Sequence, residues 1–153
     1  MYKGKKILAV VMARGGSKGI KNKNLKKINR LSLVEIAGKF LKKINIIDRS
    51  IISTDSKKIS LAAKKSSLGV YFKRPKNLST DKISDFKVIN HSLRVMEKID
   101  KTKYEIILII QPTSPTRVKH DVIKCIKILI KNKASSVWSV TKTDNKFHPL
   151  KQL

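Results

Sequence analysis

The sequence predicts an α/β domain in three layers, a mainly parallel sheet with helices on both faces. Two observations carry this. Short apolar runs and helical patterns alternate five times along the chain, and the runs are continuously apolar, as strands covered on both faces must be. Length is the third: 153 residues suit one domain of about 100–200 residues. The expected organisation is therefore a single domain over 1–153, large enough to build a core without a disulfide or a structural metal.

Lys6-Ile-Leu-Ala-Val-Val-Met-Ala13 reads as the first buried strand. A glycine-rich, basic loop follows from Arg14 to about Asn24. Ser32-Leu-Val-Glu35 is a capping box, and Leu33, Ala37, Phe40 and Ile44 then share one face of a helix over about 33–44. Arg49–Ser53 is a second strand. Thr54-Asp55-Ser56 supplies an N-cap, read on Asp55, for a helix ending near Leu68-Gly69 with the glycine at C′. Val70–Lys73 is a third strand, stopped by Arg74-Pro75. Ser84 or Asp85 caps a third helix that carries Phe86, Ile89, Leu93 and Met96 on one face. Tyr104–Ile110 is a fourth, strongly buried strand, ended by the prolines of Gln111-Pro-Thr-Ser-Pro-Thr-Arg117. A helix over about 120–131 buries Val122, Cys125, Ile126 and Leu129, and Ser135–Val140 is a fifth strand.

Composition narrows the function classes. Lys and Arg number 36 against 10 Asp and Glu, a formal charge of +26. That charge admits a polyanionic partner, nucleic acid included. The lysines are spread over the polar faces of nearly every segment, however, which favours a solvated surface over a dedicated patch. Cys125 is the single cysteine, so no internal disulfide framework exists, and one Cys with His91, His120 and His148 cannot make a Cys/His zinc site. No apolar run approaches the roughly 20 residues that span a bilayer. The basic start runs into Arg14-Gly-Gly-Ser-Lys without a cleavage-type ending, so a reducing cytoplasm is expected and a membrane partner is not.

In open α/β sheets ligands sit beyond the carboxyl ends of strands, which singles out the loops 14–24, 53–56, 73–85 and 111–117. The first combines backbone amides at Gly15, Gly16 and Gly19 with Arg14, Lys18, Lys21 and Lys23, and such a loop can wrap a triphosphate. It is not a P-loop, because the G-x-x-x-x-G-K-[ST] spacing is absent, nor a dinucleotide fingerprint, because Arg14 stands where the first glycine would be.

These loops resemble the cytidylyltransferases that activate nine-carbon acidic sugars, the acylneuraminate (CMP-sialic acid synthetase) family. The matching pieces are Ala13-Arg-Gly-Gly-Ser-Lys-Gly19 with Lys23-Asn24, Ile52-Ser-Thr-Asp55, Arg74-Pro75 with Leu78 and Asp81, Gln111-Pro-Thr-Ser-Pro115 with Arg117, and His148-Pro-Leu-Lys151. The first and fourth are the specific ones. The resemblance implies a Rossmann-like mononucleotide-binding topology of the nucleotide-diphospho-sugar transferase type. It implies an enzyme that takes CTP and a sialic, legionaminic or pseudaminic type of acid to the CMP-sugar and pyrophosphate, with Mg²⁺. It also implies that Arg14 and Lys23 are catalytic, and that Arg14, Gly15, Gly16, Ser17, Lys23, Asn24 and Arg74 bind the nucleotide. Gln111, Thr113, Ser114 and Lys151 would face the sugar. Gln111-Pro-Thr-Ser-Pro is less acidic than the matching element of the 3-deoxy-octulosonate branch. Alternatives of other kinds are a basic nucleic-acid-binding module and a cytidylyltransferase for another acid or alcohol.

Three departures stand out. Thr116 takes the place of a usual leucine, and Lys21 that of a common proline. The family's chains also continue past the His-Pro-Leu-Lys element into a further strand, a homodimer-forming segment and an Asp-x-Asp metal site, whereas this sequence ends at Leu153 and contains no Asp-x-Asp pair. The expectation from the resemblance is a C-terminally truncated domain, without carboxylates for Mg²⁺ or the family's dimer contact, that turns over weakly or not at all by itself.

Overall fold

The computed structural model of the chain describes residues 1–140, and its backbone clusters into two compact units, Met1–Thr116 and a second that begins at Arg117. In the first unit a three-stranded parallel sheet is laid down in the order β4-β1-β5. β1 is Ile7–Met12, β4 Arg49–Ser53 and β5 Ile106–Ile110. Leu8 pairs with Arg49 on one side and with Ile107 on the other. Because β1 is central, its side chains are buried on both faces, which is why its sequence shows no polar alternation.

Alternation along β1 assigns the layers. Ala9, Val11 and Ala13 face one way and join Ile52 with Val34, Ala37, Leu41, Ile59 and Ala63 of α1 (Leu33–Lys42) and α2 (Lys57–Lys64). Leu8 and Val10 face the other way and join Ile51, Tyr104 and Met96, the last from α3 (Asp85–Asp100). The sheet is thus sandwiched between α1 and α2 on one face and α3 on the other, the three-layer arrangement expected from the sequence. Gly38 of α1 sits hard against Ser66, so close that an added Cβ would fall 2.6 Å from the Ser66 carbonyl oxygen.

Several local expectations need correction. The α1 capping box forms as read: Ser32 Oγ accepts from Glu35 N–H, and Ser32 N–H donates to Glu35 Oε2 at 2.8 Å. The cap of α2 is Ser56, not Asp55, and the helix ends at Lys64. Its terminus is a Schellman closure in which Leu68 N–H reaches Ala63 O, so Ser67, at φ 66°, carries the left-handed turn instead of Gly69. The third strand shrinks to a single parallel bridge between Ile51 and Gly69. After it the chain is irregular until Arg74 N–H donates to Thr54 O.

In α3 the buried stripe is Val88, Ser92 and Met96, while Phe86 is 73% exposed. Ser92 tolerates burial because its hydroxyl donates to Val88 O. The fourth strand is less buried than its sequence implied, with Ile109 exposed, because β5 is an edge of the three-stranded sheet. A short hairpin absent from the sequence reading pairs β2 (Lys27–Ile28) with β3 (Leu31–Ser32) through Asn29 and Arg30, both at positive φ.

The second unit contains α4, Lys119–Lys131, of which Ile126 is buried and Val122, Cys125 and Leu129 only partly so. Ser135–Val140 forms no ladder among the described residues, and Trp138 and Val140 are exposed. Strand propensity is realised only beside a partner, and this segment has none there.

With so few acids, almost every one is committed. Asp48 accepts from the Met1 amine and Ile7 N–H, Asp100 from Arg49 and Tyr104, Glu97 from Lys103 and Tyr104 N–H, and Glu105 from Lys6 N–H. Burial alone would raise the Asp48 and Asp100 carboxyls, but these donors outweigh it and hold both below the ordinary range; Glu35 is lowered chiefly by the Ser32 hydroxyl. A carboxyl depressed in the folded state stabilises fully above its unfolded value, and that contribution disappears as pH falls through the folded one. The urea midpoint should therefore drop steeply below about pH 4, after a shallower decline that begins near pH 6.5 because burial lowers the His91 pKa in the folded state, and Asp100→Asn should make the steep drop shallower.

Candidate functional site

The carboxyl ends of β1, β4 and β5 point the same way, and β1 is flanked by β4 on one side and β5 on the other. That reversal of strand order is the place where open α/β sheets leave a crevice. A groove of about 470 Å³ occupies it, lined by Met12 at the end of β1 and Arg14 beyond it, Gln111 to Thr113 after β5, and parts of the 17–24 and 74–88 segments.

The glycine-rich loop is held open by neighbours. Gly15 N–H donates to Asp55 Oδ1 at 2.8 Å, so this amide is already committed, and a Cβ on Gly15 would meet Ser56 Cβ at 2.9 Å. Gly16 and Gly19 have no such neighbour. Asn22, at φ 54°, starts a 3-10 turn over Lys23–Leu25 that presents Lys23 to the groove. Asn24 is buried and its Nδ2 donates to Arg14 O at 3.1 Å, fixing the first cation of the loop through its backbone.

Arg74 is the most telling group. It is only 5% exposed, yet it lines the groove. Its Nε donates to Ser53 Oγ at 3.0 Å and its Nη2 to Ser53 O. It makes no salt bridge among the described residues. Burial lowers its pKa, with Arg14 acting in the same direction against Asp55 and Asp85. His91 nearby is lowered as well, first by burial and then by the charge of Arg74, and its ring meets Phe72 edge-on at 5.2 Å. A buried guanidinium held by Ser53 and favoured only from a distance by Asp55 and Asp85 keeps positive charge on the groove wall, where an anionic or acceptor-rich ligand would be stabilised.

Of the residues singled out in the sequence, Arg14, Ser17, Lys23, Asn24, Arg74, Gln111 and Thr113 come together on this groove. Gly15, Gly16 and Ser114 are not part of its wall, and Ser114 N–H closes a turn on Gln111 O. Lys151 and His148 lie outside the described residues. Lys18, read in the sequence as one of the loop cations, lines it too, whereas sequence reasoning gave no ligand role to Ile83, Asp85 or Val88, which also do. Asp81 appeared there only as part of the resemblance, although it is the lone acid between Asp55 and Asp85.

A family profile described as "Cytidylyltransferase" matches residues 8–152. The chain belongs to the cytidylyltransferase family. It is 33% identical over 126 residues to the post-translational flagellin modification protein B of Campylobacter coli, covering 82% of this chain and 54% of that one. It is 35% identical over 109 residues to the CMP-N,N'-diacetyllegionaminic acid synthase of Campylobacter jejuni, covering 71% of this chain and 46% of that one. To the N-acylneuraminate cytidylyltransferase of Escherichia coli it is 34% identical over 141 residues, 91% of this chain but 32% of that one. This cytidylyltransferase chain thus spans about half, or less, of the length of these relatives. A solved CMP:2-keto-3-deoxy-manno-octonic acid synthetase complexed with CTP superposes on 84% of the chain with a TM-score of 0.65 at 19% identity, which shows the fold.

Proposed function

We propose that the chain serves a cytidylyltransferase reaction in which CTP activates a nine-carbon acidic sugar of the sialic, legionaminic or pseudaminic type. The observation that carries this reading is the convergence of Arg14, Lys23 and the buried Arg74 on one groove at the strand-order reversal. The relatives that synthesise CMP-activated acids support the substrate class.

In this reading Arg14, Ser17 through its hydroxyl, Lys23 and the amides of Gly16 and Gly19 hold the triphosphate, while Gly15 serves through its hydrogen bond to Asp55. Asn24 and Arg74 lie toward the cytidine, and Gln111, Thr113 and Ser114 toward the acceptor; Lys151 would approach the sugar acid. The anomeric hydroxyl oxygen forms a bond to the α-phosphorus as the bridging bond to the β-phosphate breaks, with pyrophosphate leaving and the hydroxyl proton released. Fixed cations aimed at the departing oxygens stabilise the charge that develops there, and Lys23 is placed to do so.

Among the described residues no group of three or more His, Cys, Asp or Glu could hold a metal through protein ligands alone. Asp81, one of two carboxylates on the groove wall, is taken up by Arg14 and Lys18. No step is therefore routed through a metal. The described residues contain no helix long and apolar enough to cross a membrane, and we place the reaction in the cytoplasm.

An amide and a guanidinium fixed against the cytosine edge leave groups unpaired when another base enters. Calorimetric titration should accordingly give at least tenfold tighter binding of CTP than of ATP, GTP or UTP. Equal affinity for all four would remove the cytidine role from Asn24 and Arg74.

A further inference from the structure

Asp81 reaches into the groove from the segment between the Lys76–Leu78 turn and α3. Its Oδ1 pairs with the Arg14 guanidinium, and its Oδ2 lies 2.6 Å from Lys18 Nζ. One carboxylate thereby holds both cations, each oxygen taking one, much as a phosphate group would. The same wall carries Lys23 and Arg74, with Asp85 as the other acid.

We propose that Asp81 is an internal counter-ion, seated at the anion position of Arg14 and Lys18 while the groove is empty and displaced by the incoming polyphosphate. This rests on the reading of Arg14 as a phosphate contact. A tethered carboxylate competes at an effective concentration on the order of millimolar. Small ambient anions bring little more charge than the group they must replace, so they are kept out at ordinary concentrations. A triphosphate engages Arg14, Lys18 and Lys23 together and retains enough affinity to open the pairs. Observed affinity is the intrinsic affinity scaled by the open fraction, so Asp81 sets a threshold that weak anions fail to cross. A carboxylate that instead steered Arg14 onto the ligand would have the opposite effect on removal.

The test titrates inorganic triphosphate and CTP into the full 153-residue chain and its Asp81→Asn, Asp81→Ser and Asp85→Asn variants. Both Asp81 variants should bind each probe about three- to tenfold more tightly, whereas Asp85→Asn, which changes the groove charge equally and acts on Arg74 only from a distance, with no ion pair among the described residues, should gain clearly less. Unchanged or weaker binding in the Asp81 variants, or an equal gain in Asp85→Asn, overturns the counter-ion. A gain on inorganic triphosphate with no advantage for CTP upholds it and refutes the cytidine reading. Tight CTP binding that ignores Asp81 does the reverse, and no binding of either probe to any variant overturns both.

Discussion

Replacing Arg14 by alanine should weaken triphosphate binding by about 10- to 100-fold, the range expected when a hydrogen bond to a charged group is lost. The variant removes the one guanidinium that the glycine-rich loop brings to the groove and leaves Asp81 facing the phosphates. Because the chain carries +26, any lost cation reduces attraction for a polyanion, so a control of equal charge is essential. Lys42→Ala, in the last turn of α1, provides it and should change affinity less than twofold at about 0.15 M salt, where exposed charges beyond roughly 8 Å are screened. Comparable losses in both variants would mean that the anion is held by general charge and that the groove is not the site.

Replacing Gly38 by alanine should lower the thermal midpoint by roughly 2–4 °C, the shift that about 1 kcal/mol of net destabilisation produces in a chain of this size. An alanine inside a helix normally gains about 1 kcal/mol over glycine, so the sign depends on the packing. The new Cβ would collide with Ser66 Oγ and lie 2.6 Å from Ser66 O. A hydroxyl can rotate away, but the carbonyl belongs to the closure that ends α2, and moving it separates two helices. Overpacking of that kind costs about 1–3 kcal/mol, which outweighs the propensity gain. Ser66→Ala in the same chain should restore only part of the loss. Gly16→Ala, where an added Cβ meets nothing within 4 Å, should leave the midpoint nearly unchanged. A stabilised Gly38→Ala would show that α1 and α2 are not locked at this crossing.

The central strand and the helices flanking it were legible because each follows a short-range rule. β1 is apolar throughout since both its faces are covered, and Ser32 with Glu35 announces α1 through a pair of reciprocal hydrogen bonds. What escaped the sequence depends on partners far along the chain. Val70–Lys73 and Ser135–Val140 have strand-forming residues but too few neighbours to make ladders. Asp55 looks like a cap until the fold brings Gly15 N–H to it from 40 residues away. At the site, the loop cations were visible as composition, whereas the burial of Arg74 against Ser53 and the seat of Asp81 between two cations exist only once the loops are assembled.

The placement of the acids has a consequence for how this chain can drift. Glu35, Asp48, Asp55, Asp81, Glu97, Asp100 and Glu105 each hold a backbone amide, a cation or a phenol, while among the described residues few lysines besides Lys6, Lys18 and Lys103 carry such an obligation. Substitution should therefore be tolerated very unevenly by charge. A saturation scan would find exposed lysines such as Lys58 and Lys98 replaceable by almost anything, and the sparse carboxylates replaceable by little, so that the minority charge carries most of the sequence's structural information.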